Sequence, residues 1–393
     1  MAGNFRTKNA AITAKVEVTA GTDVSPTVGA NAVAFQTDAK LVPAFDTEET
    51  NEFQSSLSKS DSETTRGMAR FTGTALLRGC DTAGTAPELS PFYQAVTLGE
   101  TLTASAITGT AQAGAASAIT LAVTGSSAVD DAYLGMPIAT TGGTGSGQTA
   151  VITAYDGTTK VATVSPAWAT PLDATTTYSI YANALYAFGS TGLKNISIYA
   201  YDRHSDGASN AVLRKSIGSM GTATLSLQTG ALPKWQFSMM GQWVTDADVS
   251  DPGEPTYQAA RARPFTGGAA YLGGAAIALS DLSLDLGVDV NAFDDPSETY
   301  GYDVFQATGR AVTGKITADR TLVSSRAAVA DWLAGTKRGL WCRWGSTAGT
   351  RFSLWIPKAK YKGVDSGDLR GFKTEVMDFD ASGTDAEAYL CIY

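Results

Sequence analysis

Lys234-Trp235-Gln236-Phe237-Ser238-Met239-Met240-Gly241-Gln242-Trp243-Val244 sets the fold class. Trp235, Phe237, Met239 and Trp243 fall on one side of an extended chain, and Lys234, Gln236, Ser238 and Gln242 on the other. A period of two is the mark of a half-buried antiparallel strand, because successive side chains leave opposite faces of a sheet. Upstream, Thr222–Gln228 puts Ala223, Leu225 and Leu227 on one side. Arg70–Arg78 separates Phe71, Gly73, Ala75 and Leu77 from Arg70, Thr72, Thr74 and Leu76. Ser280–Leu286 separates Leu282, Leu284 and Leu286 from Asp281, Ser283 and Asp285, and Phe372–Asp380 is also extended. The expected class is mainly β.

Two helices interrupt the strands. Ser324-Ser325 can cap Arg326–Gly335, where Ala327, Val329, Ala330 and Leu333 form an apolar stripe beside Trp332 and Gly335 ends the helix. Ser90–Leu98, with Pro91 in its first turn, predicts a shorter one.

The order of these elements repeats. The strand 34–42, an acidic polar loop over 46–66, the strand 67–78, the helix near 91–96 and a strand pair ending at Trp243 make one series. The strand 279–287, an acidic loop over 294–308, the strand 309–317, the helix 326–335 and the strands 351–362 and 369–380 make a second. The match is architectural, with little residue identity. The halves meet near Thr245–Pro255, whose Pro, Gly and acidic content predicts a linker, placed at 251–264. The first series is interrupted over 101–181 by a stretch of Ala, Thr, Gly, Ser and Val with short strands at 118–123, 148–155, 160–165 and 177–181 and a hairpin turn at Asp156-Gly157. It predicts a small β domain inserted in a loop, an addition that costs little because closure entropy grows slowly with loop length.

Composition narrows the function classes. The 393 residues are 44% hydrophobic and 17% charged, with 41 glycines, which suits short strands joined by tight turns. The net charge of −9 leaves no basic footprint for gripping phosphates; Lys358-Ala359-Lys360-Tyr361-Lys362 predicts a solvated strand face. Cys80, Cys342 and Cys391 are odd in number, far apart and without CxxC spacing, which argues against a disulfide framework or a zinc site. Residues 1–15 lack the apolar core of a signal peptide, and no stretch has the length of a membrane helix, so the expectation is a soluble product made inside the cell.

The motifs that could carry chemistry each have a plainer reading. Gly142-Gly143-Thr144-Gly145-Ser146-Gly147-Gln148-Thr149 has phosphate-loop spacing, but Gln148 replaces the lysine and a strand pattern follows where a helix must open, so a glycine-rich hairpin tip is expected. Asp246, Asp248, Asp251 and Glu254 lack the glycine of a calcium loop at its sixth position, which Asp251 occupies. Asp294, Asp295 and Glu298 read as an acidic loop, since neighbouring carboxylates on an extended chain diverge. His204, the single histidine, lies in Asp202-Arg203-His204-Ser205-Asp206-Gly207 and predicts an exposed turn. Catalytic residues, metal ligands and cofactors are therefore expected to be none.

Lys15-Val16-Glu17-Val18-Thr19-Ala20-Gly21-Thr22-Asp23-Val24-Ser25-Pro26 resembles the opening phrase of the major tail (tail tube) proteins of siphophages. The resemblance continues at Gly84-Thr85-Ala86-Pro87, Ala200-Tyr201-Asp202, Gly221–Pro233 with its Thr229-Gly230-Ala231-Leu232-Pro233, and Leu279–Gly287. Within the insertion, Val129-Asp130-Asp131-Ala132-Tyr133-Leu134-Gly135-Met136, Gly145–Tyr155 and Lys160-Val161-Ala162-Thr163-Val164 resemble a small β module of phage virion proteins.

The resemblance implies two tandem tube-type β-barrel or sandwich domains, each flanked by a helix: 1–100 with 182–250, and 265–393. It implies a virion tail protein, made in the host cytoplasm, that stacks in rings around a DNA channel. The repeat suggests that three chains make one pseudo-hexameric ring, with a homohexamer as the alternative. Implied partners are further copies, the tape measure, tail terminator and tail tip proteins, and DNA as transient cargo; no membrane is involved, and the family suggests no surrounding sheath. The polar strand faces supply lumen candidates: Gln236, Ser238, Gln242, Asp281, Ser283, Asp285, Thr374, Asp378 and Asp380. The two acidic loops supply ring-to-ring candidates: Asp46, Glu48, Glu49, Glu52, Asp294, Asp295 and Glu298. A decoration or receptor-binding β protein is the main alternative, and a glycosidase with paired carboxylates the second.

Overall fold

The computed structural model describes residues 5–204 and 210–393. The first half opens with β1 (Phe5–Val16), β2 (Lys40–Glu49), β3 (Ser62–Leu76), α1 (Ser90–Ala95) and β4 (Leu98–Thr103). The insertion carries β5 (Ile107–Thr110), β6 (Ala113–Gly114), β7 (Ala118–Thr120), β8 (Pro137–Gly142), β9 (Thr149–Asp156), β10 (Val161–Ser165) and β11 (Thr177–Ile180). The chain returns in β12 (Asn183–Phe188), β13 (Ile196–His204), β14 (Asn210–Gln228) and β15 (Lys234–Ser250). The second half holds β16 (Ala269–Leu272), β17 (Ala275–Ala276), β18 (Leu279–Asp285), β19 (Val288–Asn291), β20 (Gln306–Arg310), β21 (Thr313–Asp319) and α2 (Ala328–Ala334). It ends with β22 (Lys337–Trp344), β23 (Phe352–Leu369), β24 (Phe372–Ala381) and β25 (Tyr389–Ile392). The protein is mainly β, and no described helix is long and apolar enough to cross a membrane.

Two four-stranded blocks share one pairing order. In the first, β2 pairs β3, β3 pairs β15 and β15 pairs β14; in the second, β18 pairs β21, β21 pairs β24 and β24 pairs β23, all antiparallel. Each block carries a matching flank: β13 and then β1 on β14, and β22 and then β16 on β23. The blocks are welded edge to edge, from Thr224 opposite Asp285 to Gln228 opposite Asp281. The result is one open, branched sixteen-stranded sheet. This corrects the expectation of separate barrels: no barrel closes, and both halves share one core, because β14 gives half of its edge to β13 and half to β18.

The alternation in sequence becomes the two sides of that sheet. Trp235, Phe237 and Met239, with Phe71, Ala75, Leu225, Leu282, Leu284, Ile316, Met377 and Phe379, are all buried. Phe35, Phe71, Phe92 and Phe237 meet at ring centroid distances of 4.9–6.1 Å, which adds about 0.5–1.5 kcal/mol per pair beyond area burial. α1 contributes Phe92 and Tyr93 to this core.

α2 departs from expectation. Ala327 precedes its first turn with no side-chain cap, and Ala328 and Asp331 are its buried residues. The expected stripe points outward: Val329, Trp332 and Leu333 are exposed, as is Ala330. Asp331 turns inward because Arg338 clamps it with two hydrogen bonds of 2.7 and 2.8 Å. Gly335, at φ 64°, ends the helix as expected.

The insertion forms its own seven-stranded sheet in the order β5-β11-β8-β9-β10-β7-β6. The glycine-rich stretch is the hairpin tip between β8 and β9. β4 belongs to the main sheet through β12, so the insertion starts after Thr103 rather than at 101. Its core runs on into Trp341, Trp355 and Tyr389 of the second half, so it packs against the body rather than standing apart.

The linker and the first acidic loop are also corrected. β15 continues to Ser250, which places Asp246 and Asp248 in a strand; Asp251 and Glu254 then hold the guanidinium of Arg203 at 2.8 and 3.0 Å. The loop over 46–66 is strand at both ends, because β2 and β3 stay paired out to Glu49 and Ser62, which leaves 50–61 as the loop itself.

Candidate assembly surfaces

The family-like opening phrase folds into a staple. The buried Glu17 carboxylate accepts the Gly21 and Gly218 N–H groups at 2.7 and 2.8 Å and the Ser197 hydroxyl at 2.8 Å. Gly21 turns at φ +77°, and a Cβ there would meet Val304 at 2.6 Å. Asp23 accepts the Tyr199 hydroxyl at 2.5 Å and the Lys215 ammonium at 3.3 Å. The phrase thus ties β1 to β13 and β14, which explains Glu, Gly and Asp at that spacing in structural terms.

The side of the two blocks away from the core is a polar field. One row runs Thr74, Gln236, Thr224, Asp285, Thr313, Asp380, Lys360. The next runs Leu76, Lys234, Ser226, Ser283, Lys315, Asp378. Gln236, Ser238, Asp281, Ser283, Asp285, Asp378 and Asp380 therefore share one face, with Ser238 between Thr72 and Thr222 and Asp281 beside Thr317. Charges of both signs alternate: Lys315 lies between Ser283 and Asp378, and Lys362 pairs with Asp380 at 2.8 Å. Burial pushes the half-buried Asp281 carboxyl above the usual aspartate range, against the pull of Lys315.

Two of the expected lumen residues do not join the open face. Gln242 donates to the Tyr302 carbonyl at 3.0 Å beneath the 298–302 loop. Thr374 is buried and lines a groove with Leu279, Asp281, Thr317, Leu369 and Phe372.

The second acidic loop folds back on its own chain. Arg66 reaches Asp294 at 3.1 Å, Gly67 donates to the Tyr300 carbonyl at 3.2 Å, and Phe45 meets the Tyr300 ring edge-on. Asp295 accepts the N–H and hydroxyl of Ser297 at 2.8 and 2.7 Å, and the Glu298 carbonyl accepts the Gly301 N–H. Asp294 and Asp295 are thus tied to the chain's own residues, while the Glu298 side chain is exposed. On the β2–β3 hairpin, Asp46, Glu48, Glu49 and Glu52 are exposed, and the tip bears Phe53 and Leu57 with their side chains wholly in solvent.

Both ends of the eight-strand series are open. Among the described residues no strand pairs with the outer edge of β2, and β22 leaves β23 at Lys360, so 361–369 have one bare edge. Pro43 offers no N–H, which ends the outer edge of β2 available to a further strand near Val42. A bare edge is a template for another strand.

No described cluster of three or more His, Cys, Asp or Glu side chains could hold a metal ion. His204 closes β13 rather than sitting in a turn, and Phe5 packs on it edge-on at 5.2 Å; Ser205, Asp206 and Gly207 lie outside the described residues. The three cysteines are buried and unpaired, and burial pushes the Cys342 thiol up to about 12. No protein-family model matches the chain, and no curated protein matches it.

Sequence reasoning did not say which strands carry the open edges. Strand pairing that is absent leaves no periodicity to read; Pro43 was the one available signal, marking an outer strand.

Proposed function

We propose that this chain is a structural subunit of a bacteriophage tail tube, that three copies close a ring of six blocks, and that rings stack around a channel for DNA. The observation that carries the reading is the match between the chain's middle and its ends. The junction β14–β18 joins the last strand in the pairing order of one block to the first strand of the next. The bare edge of β23 is the same position in block two, and the bare edge of β2 the same position in block one. Repeating the internal junction between chains turns an open sheet into a closed circle, the heterologous contact that generates rings.

The polar field then lines the channel. Double-stranded DNA carries one charge about every 1.7 Å, and a continuous basic wall would hold it by counterion release. A field of threonine, serine and glutamine with interspersed Asp and Lys offers no such grip. The exposed tip with Phe53 and Leu57 is the main ring-to-ring contact in this reading, with the exposed Asp294 and Glu298 of the second loop as further candidates.

Electron microscopy of the purified protein, with mass by light scattering, tests the proposal. Hollow tubes of stacked rings, or trimers that convert to them, are expected. A monomer that never assembles, even with tail-tip components added, would overturn it in favour of a decoration or receptor-binding role.

A further inference from the structure

The two blocks differ at one further contact, and the difference identifies a partner segment. In block one the β14–β15 turn is bridged through its backbone, while Thr229, Gly230 and Leu232 keep exposed side chains. Phe265, 8% exposed, bridges Thr229; the Gly230 N–H donates to the Phe265 carbonyl at 3.1 Å, and the Phe265 N–H to the Ala231 carbonyl at 2.9 Å. Phe265 precedes β16, and its ring meets Trp344, the last residue of β22, edge-on at 5.1 Å and 85°. In block two the β23–β24 turn is Arg370-Gly371, both at positive φ, and its flanking Leu369 and Phe372 are 45% and 77% exposed.

Block one holds the counterpart of Phe265. β1 pairs β13 as β16 pairs β22, and Phe5, at the start of β1, meets His204, the last residue of β13, edge-on at 5.2 Å and 89°. Phe5 is 52% exposed and lines a groove with Gln36 and Thr37, the residues that lead into the bare edge of β2. A strand added to that edge brings its own turn to Phe5, as β14 brings Thr229 to Phe265. We propose that Phe5 of one copy packs over the β23–β24 turn of the neighbouring copy, against Leu369 and Phe372. This rests on the ring reading above and names the residues that close each junction.

Disulfide trapping of the full chain tests it, because the three native cysteines are buried and engineered surface thiols alone will react. A variant carrying Phe5→Cys and Phe372→Cys, assembled and then mildly oxidised, should give dimers and trimers on non-reducing gels, and either single variant should not. A control variant carrying Val42→Cys and Asp365→Cys probes the β2–β23 junction itself. Assembled protein that crosslinks through the control but not through Phe5–Phe372 would overturn the Phe5 contact and leave the ring intact. Assembled protein that crosslinks through neither would overturn the ring reading with it. Phe5→Ala should raise the concentration for assembly about tenfold, as truncating an aromatic anchor does, with unchanged thermal unfolding of the monomer; an unchanged assembly threshold would count against the contact.

Discussion

Block one and block two are built alike and finished differently. The outer edge of β14 is filled by β18, whereas that of β23 is bare past Lys360. The turn of block one is hydrogen-bonded to the backbone of the buried Phe265, whereas the turn of block two has no such partner among the described residues and its Phe372 is exposed. α1 buries Phe92 and Tyr93, whereas α2 exposes Val329, Trp332 and Leu333. An edge filled once and bare once within one chain is the ground for proposing what a neighbour covers.

The largest expected effect breaks the comparison at the bare edge. Asp365→Pro and Ser366→Pro, made separately, remove successive N–H groups, and successive residues of a strand address opposite edges. One of the two leaves the β24 ladder intact. That variant should unfold at the parent's temperature and fail to assemble by light scattering; assembly by both would show that the edge is not used.

Next comes the pair that seats each helix. Arg326 binds Glu375 at 2.9 Å with both side chains nearly buried, and also reaches the Asp319 carbonyl. Arg78 reaches Glu88 at 3.5 Å from a more exposed position. Arg326→Ala leaves the buried Glu375 carboxylate with only Arg320, 3.8 Å away, and should cost about 3–5 kcal/mol in denaturant unfolding. Arg78→Ala should cost clearly less, and equal costs would show that the two helices are seated alike.

Much of this was legible in the sequence, for a physical reason. Trp235, Phe237 and Met239 alternate because a half-buried strand forces them to, and the repeated element order reappears as the repeated pairing order. What was not legible depends on the second layer. Thr374 alternates like a surface residue, yet it is buried in the groove that Leu279, Leu369 and Phe372 also line. Asp294 looks like loop solvent contact until Arg66, 228 positions away, is placed beside it. The α2 stripe misled because Asp331 is drawn inward by Arg338, which rotates Leu333 out.

A smaller effect sharpens the helix contrast. Leu333, 82% exposed, contributes little to the monomer's fold. Leu333→Ser should leave thermal unfolding within about 0.5 kcal/mol of the parent and raise the assembly threshold severalfold; an unchanged threshold would mark α2 as ordinary surface.

The smallest concerns Asp281, whose carboxyl burial holds above the usual range. Its charged form is disfavoured in the fold, so its penalty is full at neutral pH and is relieved as pH falls through the raised value toward the ordinary pKa of about 4. Asp281→Asn should raise the melting temperature slightly at neutral pH and not at all in acid. An equal gain at both would assign the effect to packing.

The central claim is that one chain supplies two of six ring positions. Imaging of assembled rings end-on by electron microscopy tests it most directly, because each chain carries one insertion and so marks itself once. Six-sided rings bearing three peripheral knobs are predicted; six knobs, or a ring mass of six chains, would contradict the account.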